Sequence, residues 1–99
     1  IRLPQRFGDR KLVFHLYIVF AERRDELLAY CKKQGIEAKV HYPVPLYLQE
    51  GLRAFGYERG DFPVTDRQAD TMISFPAHEH LVEEQLAYIV QTVEEFYGA

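Results

Sequence analysis

The stretch KLVFHLYIVF, residues 11–20, running on into AERRDELLAYCKKQG, residues 21–35, decides how this chain folds. Its first half has period two: Leu12, Phe14, Leu16, Ile18 and Phe20 fall on one face, and Val13, His15, Tyr17 and Val19 on the other. This predicts a strand over 11–20 with one fully apolar face. The second face carries rings with polar tips, which suits another domain or a ligand, or simply half-exposure. The second half turns helical over 24–34: Leu27, Leu28 and Cys31 share a stripe, Asp25 and Glu26 favour the positive end, and Lys32 and Lys33 the negative one. Gly35 supplies the left-handed stop.

Upstream, residues 1–10 mix Pro4, Gly8, Asp9 and several charges without periodicity and read as a lead-in or interdomain linker. The start, Ile1-Arg2-Leu3-Pro4, resembles neither a signal peptide nor an initiator methionine, so the chain is expected to begin in mid-protein. Downstream, Ile36, Ala38, Val40 and Tyr42 alternate with Glu37, Lys39 and His41, giving a second strand that ends at Pro43. Two prolines in Pro43-Val44-Pro45 make a stiff arm with few free donors. Leu48, Leu52 and Phe55 predict a short helix stopping at Gly56, with Gly51 as a weak point inside it. Residues 57–63 read as a loop. Thr65 and Gln68 form a capping box, with Val64 and Ala69 as its hydrophobic staple, so a helix is expected from Asp66 with Ala69, Met72 and Ile73 on its buried side. Ser74-Phe75 before Pro76 suits a brief third strand. The last helix buries Leu86, Ile89, Val90, Val93 and Tyr97 and closes at Gly98. Strands separated by helices give an α+β, two-layer sandwich: a small, mainly antiparallel sheet with helices on one face and the other face free for a partner.

Ninety-nine residues suffice for one compact core and not for two. Twelve basic against fifteen acidic side chains, a net charge of −3, offer no footprint for nucleic acid or an anionic membrane. No apolar run approaches the roughly 20 residues that span a bilayer. Cys31 is the only cysteine, so an intrachain disulfide is excluded and a reducing, cytoplasmic setting fits best.

The chemistry-bearing residues are few. Cys31 lies on an apolar helical stripe with no histidine facing it and reads as an inert core thiol. In His78-Glu79-His80 the histidines are two residues apart rather than four, and Val82 stands where a zinc-binding helix would need its second histidine. A solvated loop is the simpler reading, and no metal site is predicted. No glycine-rich phosphate loop exists. His15 and His41 fall on the less apolar faces of their strands. If those strands are neighbours, one face carries two titratable rings; otherwise each histidine bonds a backbone carbonyl or lies under another domain. Tyr17, Tyr42 and Tyr47 share that ambiguity, and Arg53, Arg59 and Arg67 are candidate anion ligands or plain surface charges.

From His15-Leu16-Tyr17 through Arg24-Asp25-Glu26-Leu27, Gly35-Ile36, His41 to Gln49 (HYPVPLYLQ), Gly56-Tyr57, Gly60-Asp61-Phe62-Pro63, Ser74-Phe75-Pro76 and Leu81 to Gln85, the chain resembles the DegT/DnrJ/EryC1/StrS aminotransferases. The matches run in order over nearly all of 11–97. The resemblance implies the small domain, residues 11–99, of a fold type I enzyme that uses pyridoxal phosphate (PLP). Such enzymes move an amino group, usually from glutamate, to a keto sugar carried on a nucleotide, and work as homodimers. It also implies that the Schiff-base lysine and the phosphate cup belong to a large PLP-binding domain absent here; none of Lys11, Lys32, Lys33 or Lys39 matches the family's lysine motif. No catalytic or cofactor-binding residue is therefore expected in this chain, and alone it should be inactive. Its expected task is to pack on the large domain and help close the sugar site. By resemblance, His41, Tyr42, Pro43 and His15 are the substrate-binding candidates: His41 and Tyr42 would donate to sugar or phosphate oxygens while Pro43 and Pro45 hold the arm.

Two positions depart from the family pattern. Tyr47 replaces a common histidine, removing any proton-handling role there, and Val82 replaces a Ser or Thr N-cap, leaving Gln85 with half a capping box. A competing reading from a different class is a free-standing α+β ligand-binding or dimerisation module without catalysis.

Overall fold

In a computed structural model, described here for residues 1–98, the chain forms β1 (Tyr17–Phe20), α1 (Arg24–Lys33), two 3₁₀ helices (Leu46–Leu48 and Glu50–Phe55), α2 (Pro63–Thr71), β2 (Met72–Phe75) and α3 (Glu83–Tyr97). The fold is α+β. β1 and β2 pair antiparallel with Tyr17 opposite Phe75, Ile18 opposite Ser74, Val19 opposite Ile73 and Phe20 opposite Met72. Single pairings widen this ribbon on both edges: Arg2 bonds Phe20 outside β1, and Lys39 bonds Ser74 outside β2. The lead-in is therefore extended against the sheet at Arg2.

The core lies on one sheet face. Val19, Ala21, Leu27, Cys31, Ile36, Ala38 and Ile73 are buried together, with Tyr17, Leu28, Phe75, Ile89, Val93 and Phe96 packed around them. These side chains come from β1, β2, α1 and α3, with Ala21, Ile36 and Ala38 added by the segments that flank α1, so the two long helices cover the face that carries Val19 and Ile73. This reverses the face expected from the pattern of residues 11–20. Only 17–20 are strand, and Phe14 has φ +50, a left-handed conformation that breaks the alternation. Leu12 and Leu16 are exposed, and the ring of Tyr17, expected to face a selective neighbour, packs on the core. Ile18 and Phe20 are half-buried on the opposite face, where the Arg2 guanidinium lies 4.8 Å over the Phe20 ring.

α1 follows its sequence signals, with Asp25 and Glu26 in the first turn, Lys32 and Lys33 in the last, and Gly35 at φ +81. Beyond it Ile36 and Ala38 are buried and Glu37 and Lys39 exposed, as alternation requires, but the expected strand over 36–42 is reduced to the one pairing at Lys39.

The helix expected over Leu48–Phe55 is instead the pair of 3₁₀ turns, separated by Gln49 in extended conformation (φ −69, ψ 147). Neither turn contains a buried residue and Phe55 is 69% exposed, so no apolar stripe is available to select an α-helix. α2 begins at Pro63, three residues before the expected start. Proline at the first helical position gives up no hydrogen bond, so Thr65 falls inside the first turn, where it cannot cap, and Val64 stays exposed rather than stapling. α2 ends at Thr71. Met72 and Ile73, expected on its buried side, open β2.

α3 closes at Gly98 (φ +78) as the glycine predicts. At its start Gln85 Oε1 accepts the Val82 N–H at 3.0 Å, and Val82 has no side-chain oxygen to return the bond. The buried edge of α3 is Ile89, Thr92, Val93 and Phe96; Leu86, Val90 and Tyr97, expected in that stripe, are exposed. Leu86 and Val90 instead line an open groove of about 1010 Å³ with Leu3, Val13, Phe14 and Leu81. Among the described residues no helix is long and apolar enough to cross a membrane.

Candidate functional site: the 41–49 arm

The arm is fixed at both ends and exposed between them. At its start the Lys39–Ser74 pairing puts Lys39 and Ser74 on one sheet face, and two residues on His41 returns to it. His41 Nδ1 lies 2.9 Å from the Ser74 hydroxyl. The peptide bond from His41 to Tyr42 is cis, and the two rings stand edge to face at 5.6 Å. Tyr42 is 68% exposed; Pro43 and Val44 are exposed as well, and Pro45 turns back into the protein.

At the far end the Tyr47 hydroxyl donates to one oxygen of Asp66, and the Gly60 N–H donates to the other at 2.8 Å. Gly60 has φ +100, so the loop that delivers this amide depends on glycine. Asp66 is 7% exposed, with both carboxylate oxygens bonded. The Tyr47 hydroxyl, then the Gly60 amide and the charge on Arg59, hold its carboxyl below the ordinary carboxylate range against the opposing effect of burial. Burial first, then the hydrogen bond to Asp66 and after it the Asp66 charge, push the Tyr47 phenol up, so this hydroxyl remains a donor. Around it the Tyr47 and Phe62 rings meet at 4.8 Å, and Tyr57 meets Phe62 at 5.1 Å. Tyr47 thus anchors the far end of the arm.

The four sequence candidates are therefore placed unequally. His41, Tyr42 and Pro43 are consecutive on the presented arm. His15 is exposed in the bend before β1, outside the strand that was to align it with His41, and among the described residues it makes no hydrogen bond to the arm. Of the arginines, Arg59 is held by Asp70 at 2.5 Å, while Arg53 and Arg67 are exposed. His78 and His80 are exposed with rings 6.2 Å apart, and no three His, Cys, Asp or Glu side chains among the described residues converge on a metal-sized site. Cys31 is buried, and burial pushes its thiol up, away from the reactive thiolate.

Three contributors escaped sequence reasoning. Ser74 is a lone hydroxyl within Met72-Ile73-Ser74-Phe75, and only the Lys39 pairing reveals what faces it. Asp66 reads as a first-turn helix acid. Arg24 reads as a surface charge at a helix start; instead it is buried, its Nη1 donating to the Ala69 and Met72 carbonyls at 2.9 and 2.8 Å and tying α1 to the junction of α2 and β2. No signal in the sequence separates it from Arg23, which stays outside and pairs with Glu26.

This sequence and geometry have relatives. The model of the DegT/DnrJ/EryC1/StrS aminotransferase family matches residues 2–94, and the chain belongs to that family. It is 42% identical over 95% of its length to the pleiotropic regulatory protein of Geobacillus stearothermophilus. It is 33% identical over 97% of its length to the dTDP-3-amino-3,4,6-trideoxy-alpha-D-glucose transaminase of Streptomyces venezuelae. The crystal structure of S. venezuelae DesV superposes on 99% of the chain with a TM-score of 0.92 at 32% identity. The chain spans 25% of the length of each of the two curated relatives and 26% of the DesV chain.

The family implies PLP, and the residues present do not fit it. A Schiff-base lysine must sit in an enclosed pocket beside a phosphate cradle. Lys11, Lys32, Lys33 and Lys39 are all exposed, and Lys39 is paired with Glu37 at 3.0 Å.

Proposed function

We propose that residues 11–99 are the small domain of a PLP-dependent transaminase, with residues 1–10 as the connector to a large domain that supplies the lysine and the phosphate cup. The full polypeptide moves an amino group from glutamate to a keto sugar on a nucleotide and acts as a homodimer. The observation that carries this reading is the arm itself: a short proline-stiffened segment, bonded to the body through His41 and Tyr47, that presents Tyr42 and Pro43 to the outside. Such a segment loses little entropy when a ligand settles on it. His41 and Tyr42 donate to sugar or phosphate oxygens, the prolines hold the backbone, and closure of the small domain excludes water from the sugar. His15 joins them by movement of the bend before β1. The apolar groove lined by Leu86 and Val90 receives the large domain, since an open apolar surface of this size is unusual on a protein that stands alone.

A second reading is favoured by one observation: the 42% identical relative is named a regulatory protein, not an enzyme. On that reading the full polypeptide keeps the fold to bind a ligand without turning it over. The test is glutamate-dependent amination of a panel of nucleotide-linked keto sugars by the full-length polypeptide, with residues 1–99 assayed alongside. Turnover by the long form and none by the short supports the transaminase. Binding of the nucleotide sugar without turnover by the long form moves the case to the ligand-binding reading.

A further inference from the structure

Ser74 sits where its options are few. It is 4% exposed in β2, opposite Ile18 on one side and paired with Lys39 on the other. Its backbone is fully committed there, its N–H to the Lys39 carbonyl at 2.7 Å and its carbonyl to the Lys39 N–H at 3.0 Å. Its hydroxyl has one partner among the described residues, His41 Nδ1 at 2.9 Å. A buried hydroxyl hydrogen without an acceptor is costly, so the hydroxyl is the donor and Nδ1 the acceptor. A neutral imidazole that accepts at Nδ1 carries its proton at Nε2. Nε2 has no partner among the described residues, and it lies on the side of a half-exposed ring remote from Ser74.

We infer that Ser74 is a positioning residue that holds His41 as the Nε2–H tautomer, leaving one oriented N–H donor on the arm for an anionic or hydroxyl oxygen of the nucleotide sugar. This rests on the arm reading proposed above and adds to it the polarity of the contact. With Nδ1 occupied by Ser74, His41 offers the ligand only the Nε2 donor and no acceptor, so the matching ligand atom is a phosphate or sugar oxygen, not a donor N–H. Without the serine hydroxyl the ring is free to rotate and to exchange tautomers, and only part of the population presents the donor.

The test uses the full-length enzyme labelled with 15N-histidine, together with steady-state kinetics in the nucleotide sugar. Long-range 1H–15N correlations, with His41 assigned by its disappearance in His41→Ala, should show the Nε2–H pattern in the parent and mixed tautomers in Ser74→Ala. Ser74→Ala should raise KM for the nucleotide sugar roughly 3- to 10-fold, the scale of one hydrogen bond, and by more than it lowers kcat. Ser74→Cys, which keeps the size and weakens the donor, should reproduce this, and Ser74→Thr should restore both readouts. In a His41→Ala background Ser74→Ala should change KM no further. If His41→Ala raises KM while Ser74→Ala and Ser74→Cys leave KM and tautomer at parent values, the positioning role is overturned and the arm reading stands. If His41→Ala leaves KM unchanged, the arm reading falls and the inference with it.

Discussion

The sheet core and the 41–62 segment are held in opposite ways. In the core Leu27 and Ile73 are fully buried, and the fold there is fixed by apolar surface that α1 and α3 remove from water. From Tyr42 to Phe62 only Pro45 is buried, both helices are 3₁₀ turns, and order rests on the Tyr47–Asp66–Gly60 bonds, the Tyr47/Tyr57/Phe62 rings and the His41–Ser74 bond. A segment held by a few directional bonds can be placed accurately and still be released without unfolding the domain. That combination suits the ligand contact proposed for the arm.

The largest effect should come from the core. Leu27→Ala should lower unfolding free energy by about 2 to 5 kcal/mol in denaturant titration, because a fully enclosed leucine leaves a cavity. A loss under about 1 kcal/mol would mean the core is no firmer than the arm. Arg24→Met should cost about 2 to 3 kcal/mol, since the Ala69 and Met72 carbonyls lose a charged donor in a buried place. A neutral result would show that water replaces the guanidinium there.

Asp66→Asn sharpens the contrast through pH. The carboxyl of Asp66 sits below its ordinary value of 3.8 in the folded protein, so its contribution is complete above that value and is lost as pH falls through the folded one. The stability gap between parent and Asp66→Asn should therefore be flat above about pH 5 and narrow steadily on acidification, as thermal midpoints across pH would record. Amide hydrogens near Gly60 and Leu48 should exchange faster in the variant while those of β2 do not. The smallest effect should be a gain: Val82→Thr supplies the missing cap oxygen at α3 and should stabilise by about 0.5 to 2 kcal/mol. A midpoint unchanged or lowered would mean that the Gln85 bond alone already satisfies the helix start.

The same division governs how much the sequence discloses. α1 is legible because apolar spacing, charges at both ends and Gly35 agree, and α3 because its apolar spacing, first-turn acids and Gly98 mark its extent, although Leu86, Val90 and Tyr97 stay exposed. Ser74-Phe75 is legible as strand because Pro76 bounds it. The pattern over 11–20 overreaches, since apolar residues alternate through a lead-in whose left-handed Phe14 is invisible to periodicity. For Pro63 the helix-start signal competes with the Thr65–Gln68 box, and the proline wins because its ring already has the helical φ. Of the candidate site, the sequence discloses the arm and its stiffness. It does not disclose Ser74, Asp66 or Gly60, whose roles arise from partners 33, 19 and 6 residues away along the chain.

The proposed role of the arm is tested most directly by hydrogen exchange of the full-length polypeptide with and without nucleotide sugar, followed by peptide across residues 17–75. If the arm meets the sugar, saturating sugar slows exchange in peptides covering 41–49 and leaves α1 and β2 as they were. Unchanged exchange across 41–49 under saturating sugar would contradict that role.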